Sequence, residues 1–386
     1  MRKTRVMIYV QHLLGIGHLK RTVTIARAIA ASGCETTVVS GGPIVEFMDY
    51  GEAGWRQLPP LRASEDFSQL LDEHGRPIDN SFRAARRETL LNHYRELQPD
   101  ILITELFPLG RRQMRYELLP LLHEAKSMRH PPIIAASVRD ILQQRSTERV
   151  AEALQWFDRY YDRLLVHADP AIIRLEASMP AVTRIADRVH YTGYVVDLGR
   201  RPSEPTDCGH SDVLVSAGGG AVGIRLLRAA IAARPLTVFH QRPWLLLTGS
   251  GMPQFQVDAL RDDVLPGIEV ERARSDFTTL LHQAKLSISQ CGYNTVMDIV
   301  DTGARAVVVP FAGNGETEQT TRAKLWAERK AVTVVAEKDL MPETLAHAID
   351  RTAAKSAFDA TGINRDGAQQ TARLVQSWAN GREAAQ

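Results

Sequence analysis

The sequence predicts an α/β protein made of two doubly wound domains that face each other across a cleft. Short β-branched runs alternate with amphipathic helical stretches along the whole chain, the pattern of parallel sheets with helical crossovers. The pattern restarts after Arg200–His210, a stretch rich in Pro, Ser, Asp and Gly that is typical of a linker. At roughly 100–200 residues per domain, 386 residues suit two domains. We expect domains at residues 1–200 and 211–362, with a final helix in 363–386 that packs back on the first domain.

The elements follow in order from hydrophobic periodicity. In the first half, apolar runs predict strands at Arg5–Val10, Thr36–Ser40, Asp100–Thr104, Ile133–Ser137, Arg163–His167 and His190–Val196. Between them, helical spacing of apolar residues predicts helices at Leu19–Ala31, Phe82–Leu97, Arg112–Lys126 and Thr147–Tyr160. The second half repeats the alternation, with strands at Asp212–Ser216, Trp244–Thr248, Ile268–Glu271, Leu286–Ser289, Ala306–Pro310 and Val332–Val335, and a last helix at Asn364–Ala379. Ligands of such folds bind where strands end, so residues after each strand are the candidates.

Composition excludes several classes of protein. The formal charge is only +2, which gives no case for a nucleic-acid partner. Cys34, Cys208 and Cys291 lie far apart, so we expect neither a disulfide framework nor a metal site, and a reducing, cytoplasmic location. No apolar run approaches the roughly 18 residues of a membrane span. A literal GxGxxG at 218–223 does not favour NAD, because no acidic residue ends the next strand, which runs into Thr248–Gly251.

A histidine at the start of the first helix is the leading catalytic candidate. Gly15 and Gly17 allow the loop after the first strand to approach a ligand closely, and His18 follows at once. Such an imidazole can take a proton from an attacking hydroxyl or hydrogen-bond a sugar. The alternative is a capping or core histidine. Two acids that end neighbouring strands, Glu105 and Asp140, could each orient the imidazole, although the second could be structural; the shaped loop after Glu105 favours it slightly.

The glycine loop also carries a family resemblance. Gly15-Ile16-Gly17-His18, followed by Arg21 and an alanine-rich helix, resembles the N-terminal loop of the MurG-like, family 28 type of GT-B glycosyltransferases. It is also similar to the loop of the PseG nucleotide-sugar hydrolase, whose histidine is taken as catalytic. The resemblance implies the GT-B fold, two Rossmann-like domains, and a nucleotide-sugar donor, a UDP-sugar by analogy. No other cofactor is implied.

Three motifs of the second half resemble the donor domain of that group. The residues expected at the donor are, besides Gly17, the loop residues Ser216, Gly218, Gly219 and Gly220, then Gly292, Asn294, Thr295 and Asp298, and finally Glu318 and Gln319. A strand, a glycine and an uncapped helix start together make an anion site, and the resemblance assigns the diphosphate to Gly292, Asn294 and Thr295. It assigns the ribose to Asp298 and the donor sugar to the Glu318–Gln319 pair. Without the family, Asp298 and Glu318 would be charged helix residues, and Arg322 replaces the commoner asparagine.

These features together predict a metal-independent glycosyltransferase. His18, helped by Glu105 or Asp140, would deprotonate a hydroxyl acceptor that attacks the anomeric carbon, with inversion implied by the resemblance. The acceptor classes left open are a lipid-linked molecule and a small metabolite. Three alternatives stay open: a nucleotide-sugar hydrolase in which His18 activates water, a non-hydrolysing nucleotide-sugar epimerase, and a non-catalytic nucleotide-sugar-binding subunit.

A basic, leucine-rich stretch raises the question of a membrane. Arg111, Arg112 and Arg115 precede the apolar run 118–122. The resemblance implies an apolar patch with a basic rim that meets lipid-linked acceptors, which would place the protein peripherally at the inner face of the membrane. The alternative is that these leucines belong to the core.

Overall fold

The computed structural model describes residues 2–13, 15–64, 69–197, 211–218, 223–249 and 251–385. Two compact units divide the chain, unit 1 comprising Met1–Val196 with Ile363–Gln386, and unit 2 comprising Asp197–Gly362. The predicted linker, Arg200–His210, lies entirely outside the described residues.

Fifteen strands and eleven α-helices make up the described chain. The strands are β1 Arg5–Val10, β2 Glu35–Ser40, β3 Gly54–Gln57, β4 Arg62–Ala63, β5 Leu70–Leu71, β6 Ile101–Glu105, β7 Ile133–Arg139, β8 Arg163–His167, β9 Val189–Tyr191, β10 Val213–Ser216, β11 Trp244–Thr248, β12 Ile268–Arg272, β13 Leu286–Ser289, β14 Ala306–Val308 and β15 Thr333–Val334. The helices are α1 Gly17–Ala31, α2 Asn80–Leu97, α3 Arg115–Lys126, α4 Thr147–Tyr160, α5 Ile224–Ala233, α6 Gln254–Asp262, α7 Phe277–Gln283, α8 Tyr293–Thr302, α9 Glu318–Glu328, α10 Pro342–Ala353 and α11 Gly367–Ala385.

Unit 1 is built on a seven-stranded parallel sheet in the order β3-β2-β1-β6-β7-β8-β9. The chain runs outward from β1 to one edge, returns to β6 and runs to the other edge. The gap between β1 and β6 is therefore the topological switch point, where loops diverge and ligands of doubly wound sheets bind. The first residue of α1 and the last residue of β6 both lie there.

The last helix of the chain completes the core of unit 1. Ala372 and Val375 of α11 are buried in one apolar cluster with Val23 and Ile29 of α1, and Trp378 packs against it.

Unit 2 repeats the architecture with a six-stranded parallel sheet in the order β12-β11-β10-β13-β14-β15. Its switch point lies between β10 and β13. The loops that leave these two strands begin after Ser216 and Ser289, which are paired in register. The doubly wound fold predicted for each half is confirmed.

The strand predictions were best where the sequence is most apolar. β1, β8, β11 and β13 have the predicted bounds. β3 was missed because it is a short edge strand whose residues are mostly exposed, so it carries no buried run or alternation. β9 ends at Tyr191, earlier than predicted, since the chain turns at Gly193 with a φ of 86°.

The leucine-rich stretch does not form a surface patch. Leu118, Leu121 and Leu122 of α3 are fully buried, which confirms that these residues belong to the core. The neighbouring Arg112 is exposed and pairs with Glu152. Among the described helices, none combines the length and the apolar character needed to cross a membrane.

Candidate active site

Four polar side chains share one face of the unit 1 sheet at its carboxyl edge. Glu105 is in register with Ser137, and Arg139 is in register with His167. Residues in register on parallel strands point to the same face, and so do residues two apart on one strand. All four therefore lie on the face that α1 covers, just beyond the apolar residues that pack against that helix.

The first turn of α1 brings His18 onto this polar set. Its Nδ1 lies 2.9 Å from both Oε1 and Oε2 of Glu105. Arg21, three residues further along the helix and therefore on the same side of it, donates to Oε1 of the same carboxylate. The Glu105 side chain is 1% exposed and that of His18 is 13% exposed. Two hydrogen-bonding partners thus hold Glu105 in place, and Glu105 fixes the orientation of the imidazole.

Burial and charge set the protonation of this pair. Burial lowers the pKa of His18 to about 3 despite the attraction of Glu105, and the positive charges of Arg111 and Arg139 act in the same direction. Burial alone would raise the pKa of Glu105, but His18 and Arg21 lower it to about 2. At neutral pH the carboxylate is charged, and a neutral imidazole donates its Nδ1 proton to it. Nε2, which hydrogen-bonds to no residue in the described part of the chain, carries the lone pair that can accept a proton.

The second predicted acid, Asp140, does not contact His18. It follows Arg139 by one residue and Ser137 by three, so it does not continue the alternation that places Glu105, Ser137 and Arg139 on the α1 face. Its side chain is fully buried, and Oδ1 accepts a hydrogen bond of 2.8 Å from its neighbour's backbone N–H. Of the two acids, the structure brings only Glu105 to the imidazole.

A second buried histidine lies beneath the site. His167 is hydrogen-bonded between two hydroxyl groups, with Nε2 2.8 Å from Oγ of Ser137 and Nδ1 2.9 Å from Oγ1 of Thr192. Burial, helped by the positive charge of Arg21, lowers its pKa to about 3. Nothing in the sequence singled it out, because a lone histidine ending a strand has no pattern of its own.

The opposite face of the sheet holds the loop that leads to His18. Arg86 forms a fully buried ion pair with Glu117 at 2.7 Å, and the Tyr9 hydroxyl donates to the same carboxylate. The guanidinium also donates to Oε1 of Gln11 at 2.6 Å, and Nε2 of Gln11 donates to the carbonyl of His12 at 2.8 Å. This network fixes the segment directly after β1, from which the glycine loop starts.

Unit 2 places its glycine loops side by side at the switch point. Gly218 has a φ of 73°, and its N–H donates to Oγ of Ser216 at 3.2 Å. A Cβ on Gly218 would lie 3.6 Å from Oε1 of Gln290, so the loop after β10 begins beside the loop after β13. Gly219 and Gly220 lie outside the described residues.

The helix start at Gly292 is open. Gly292 precedes α8 with a φ of −66° and a ψ of 153°, a backbone that any residue can adopt, and no side chain caps the helix. Among the described residues, a Cβ there would meet nothing nearer than Oγ1 of Thr295, at 3.9 Å. The protein itself therefore does not require a glycine here, whereas close approach of a ligand to the helix N-terminus would. Asn294 lies in the first turn, and Asp298 is a turn later and 5% exposed.

Gln319 and Arg322 hold the loop between β13 and α8 in place. Oε1 of Gln319 accepts hydrogen bonds from the backbone N–H of Cys291 at 3.0 Å and of Phe311 at 3.2 Å. Nε2 of Gln319 makes no hydrogen bond to any residue that the structure describes. Arg322 donates to the Cys291 carbonyl at 3.1 Å and pairs with Glu318 at 2.7 Å, and both side chains are buried. Arg322 thus fixes the loop and neutralises Glu318.

Two arginines of unit 1 were missed as site residues. No role was predicted for Arg21. An arginine one turn after His18, on an otherwise alanine-rich helix, could have indicated a buried residue that pairs with it. Arg111 was assigned to a membrane-facing rim, but it follows the loop after β6 and its charge acts on His18.

The comparisons with known proteins agree with this arrangement. Residues 215–376 match the family model "Glycosyltransferase family 28 C-terminal domain". Two curated relatives are named UDP-N-acetylglucosamine–N-acetylmuramyl-(pentapeptide) pyrophosphoryl-undecaprenol N-acetylglucosamine transferase. The protein from Paracidovorax citrulli is 29% identical over 137 residues, 35% of this chain and 38% of the relative. That from Thermotoga neapolitana is 26% identical over 194 residues, 50% of this chain and 53% of the relative. The matches thus span about half or less of the relatives' length.

A solved structure extends the similarity of fold to the whole chain. The spinosyn rhamnosyltransferase SpnG, complexed with thymidine diphosphate, is 15% identical with a TM-score of 0.65, covering 98% of this chain and 100% of that one. The chain therefore has the GT-B fold, and its residues 215–376 match the C-terminal domain of glycosyltransferase family 28.

Proposed function

We propose that the protein is a glycosyltransferase that moves a sugar from a nucleoside-diphosphate sugar to a hydroxyl acceptor. The observation that carries the proposal is the His18–Glu105 pair, held at 2.9 Å in a chain whose other unit matches a glycosyltransferase domain. UDP-sugars are the first donors to test, since both curated relatives are named for UDP-N-acetylglucosamine. The thymidine diphosphate bound to SpnG makes TDP-sugars the second.

In the proposed reaction, Nε2 of His18 takes the proton of the acceptor hydroxyl. The hydroxyl oxygen forms a bond to the anomeric carbon while the bond from that carbon to the diphosphate breaks, with inversion. Glu105 keeps the reactive nitrogen aimed outward and stabilises the imidazolium that forms, as the acid of a catalytic triad does. The departing diphosphate is stabilised at the start of α8, beside Gly292, by backbone N–H groups and the helix dipole, so the step needs no metal.

The remaining donor contacts are proposed as follows. In unit 2, Ser216, Gly218, Asn294 and Thr295 would contact the phosphates, and Gly17, Gly219 and Gly220 stay predictions from the sequence. Asp298 accepts from the ribose hydroxyls. Gln319 donates to the donor sugar through Nε2, the side-chain atom that its support of the Cys291 loop leaves available.

Two variants at one pair of residues test the catalytic part. His18→Ala should bind donor like the wild type and lose turnover, and Glu105→Gln should lower turnover by about 10²–10⁴-fold, the range of positioned acid–base groups. His123→Ala, on the exposed side of α3, is the matched control and should keep full activity.

Donor binding is measured separately by thermal shift with UDP, TDP and their sugar conjugates. A ligand at 100 times its Kd should add about 2.7 kcal/mol to the free energy of unfolding. If His18→Ala abolishes the donor-induced shift, its role in catalysis is misassigned. If sugar is released at the full turnover rate with water as the only acceptor, the protein is a hydrolase. Both results contradict the proposal.

A further inference from the structure

The loop that leaves β6 is held in an uncommon backbone conformation. Leu106 and Arg111 both have positive φ angles, 66° and 54°, in the left-handed region that non-glycine residues rarely occupy. Such conformations persist only where the surroundings impose them, and they gather at functional sites. The segment ends on Arg111, whose Nε donates to the Gln11 carbonyl at 3.1 Å. Arg111 is therefore tied to the segment that leads to His18.

The guanidinium of Arg111 makes fewer hydrogen bonds to the described residues than it could. The side chain is half-buried, yet Nη1 and Nη2 donate to no residue within the described ranges of the chain, and no carboxylate pairs with them. Buried arginines elsewhere in unit 1 are treated differently, because Arg21 pairs with Glu105 and Arg86 with Glu117. A half-buried guanidinium whose two terminal nitrogens remain available suits a planar, bidentate anion such as a carboxylate or phosphate.

Positive charge exceeds negative charge around His18. Arg21, Arg111 and Arg139 all act electrostatically on the site, and the carboxylate in these interactions is that of Glu105. Burial lowers the pKa of Arg111 to about 10, because Glu105 offsets its charge only in part and Arg139 repels it. An anion that enters here supplies the missing negative charge.

We propose that Arg111 binds an anionic group of the acceptor, a carboxylate or a phosphate, beside the hydroxyl that His18 deprotonates. The identity of the anion as part of an acceptor rests on the proposed function, whereas the anion site itself does not. The bound anion has a second effect, because it offsets the positive charge that disfavours protonation of the imidazole. His18 thereby becomes a stronger base when the correct substrate is present.

The anion site is tested without turnover, by NMR of the His18 ring protons. Inorganic phosphate, acetate and methyl phosphate are titrated into the full chain at constant ionic strength. In the wild type, at least one of them should shift the His18 resonance to saturation and raise its pKa. Arg111→Asn removes the charge and keeps a residue that tolerates a positive φ, so it should fold normally and weaken anion binding roughly 10- to 100-fold. Arg112→Asn, at the adjacent exposed arginine, should bind the anions like the wild type.

The proposal is overturned if neither the three anions nor phosphatidylglycerol vesicles shift the wild-type resonance, or if Arg111→Asn and Arg112→Asn bind equally. Equal thermal unfolding of the two variants shows that lost binding is not lost folding, and Arg111→Lys, which keeps the charge, should restore part of the affinity. Anion binding without sugar transfer would instead overturn the proposed function alone.

A lipid headgroup and a soluble phosphorylated acceptor present the same chemistry to Arg111. Vesicles of phosphatidylglycerol and of phosphatidylcholine separate them, with methyl phosphate as the soluble arm. An Arg111-dependent shift with methyl phosphate supports a soluble acceptor. A shift seen only with phosphatidylglycerol vesicles, and lost in Arg111→Asn, supports a headgroup. No Arg111-dependent shift in either arm contradicts the anion site.

Discussion

Unit 1 should lose stability as the pH falls from 7 to 5, because three of its histidines are buried in the neutral form. Burial lowers the pKa of His12 to about 4 and those of His18 and His167 to about 3. In the unfolded chain all three return to about 6.5. Between these values the unfolded state binds more protons than the folded state, so acid favours unfolding.

The magnitude follows from the unfolded pKa alone. At pH 5, protonation of an imidazole of pKa 6.5 stabilises the unfolded state by about 2 kcal/mol, since one pKa unit corresponds to about 1.4 kcal/mol. The folded state, in which the imidazole stays neutral, does not gain this free energy. Three such groups lower the free energy of unfolding by about 6 kcal/mol between pH 7 and pH 5. The loss should be complete only near the folded values, at pH 3 to 4.

Urea unfolding at pH 7, 6 and 5 measures the slope. Because the carboxylates with lowered pKa values respond below pH 5, this window isolates the histidines. His167→Gln can keep a hydrogen bond to one of the two hydroxyls, Ser137 or Thr192, and should reduce the pH dependence by about one third. Imidazole resonances of these three residues titrating near pH 6.5 in the folded protein would refute the reasoning.

Two further predictions concern unit 2. Gly292→Ala should leave the free energy of unfolding unchanged or raise it by up to about 1 kcal/mol, because its backbone suits any residue. Gly292→Ala should nevertheless weaken UDP binding, measured by calorimetry. The control Gly303→Ala should destabilise the unit, because Gly303 has a φ of 67° and a Cβ there would lie 2.9 Å from the Phe358 carbonyl. Unchanged UDP affinity of Gly292→Ala would show that the diphosphate does not bind at this helix start. Gln319→Glu keeps an oxygen acceptor for Cys291 and Phe311 but lacks the amide donor, so it should unfold like the wild type in urea and bind the nucleotide-sugar more weakly than UDP alone. Gln319→Ala should bind the nucleotide-sugar weakly and also lose about 1–3 kcal/mol of stability. If Gln319→Glu binds the nucleotide-sugar with wild-type affinity, Gln319 only supports the loop.

The sequence predicted the strands and the residues after them better than the contacts among those residues. A continuous apolar run fixes a buried strand such as β11 to the residue, and the loops at the switch points could be named from the strand order. The sequence favoured Glu105 over Asp140 only slightly, because the choice depends on which face of the sheet each side chain takes at the very end of its strand. The face to which each side chain points is set by the register of the neighbouring strands, and the local sequence does not encode that register.

The roles of two arginines were hidden for a related reason. Arg111 looked like part of a basic rim because its sequence neighbours are basic, yet its own backbone has a φ of 54° and its side chain reaches the Gln11 carbonyl. Arg322 departed from the family pattern and so cast doubt on its side of the pocket. Its contacts with Glu318 and the Cys291 carbonyl show a residue that supports the loop.

The placement of α11 has a consequence for synthesis on the ribosome. The helix comes after all of unit 2 in the chain, yet it covers apolar residues of α1. While unit 2 is being translated, the apolar stripe of α1 that α11 covers remains exposed to water and to chaperones. Unit 2, a contiguous stretch, can fold before unit 1 is sealed. A truncation at residue 362 would leave that exposed stripe permanently, so an isolated first unit needs α11 rejoined by circular permutation or supplied as a peptide.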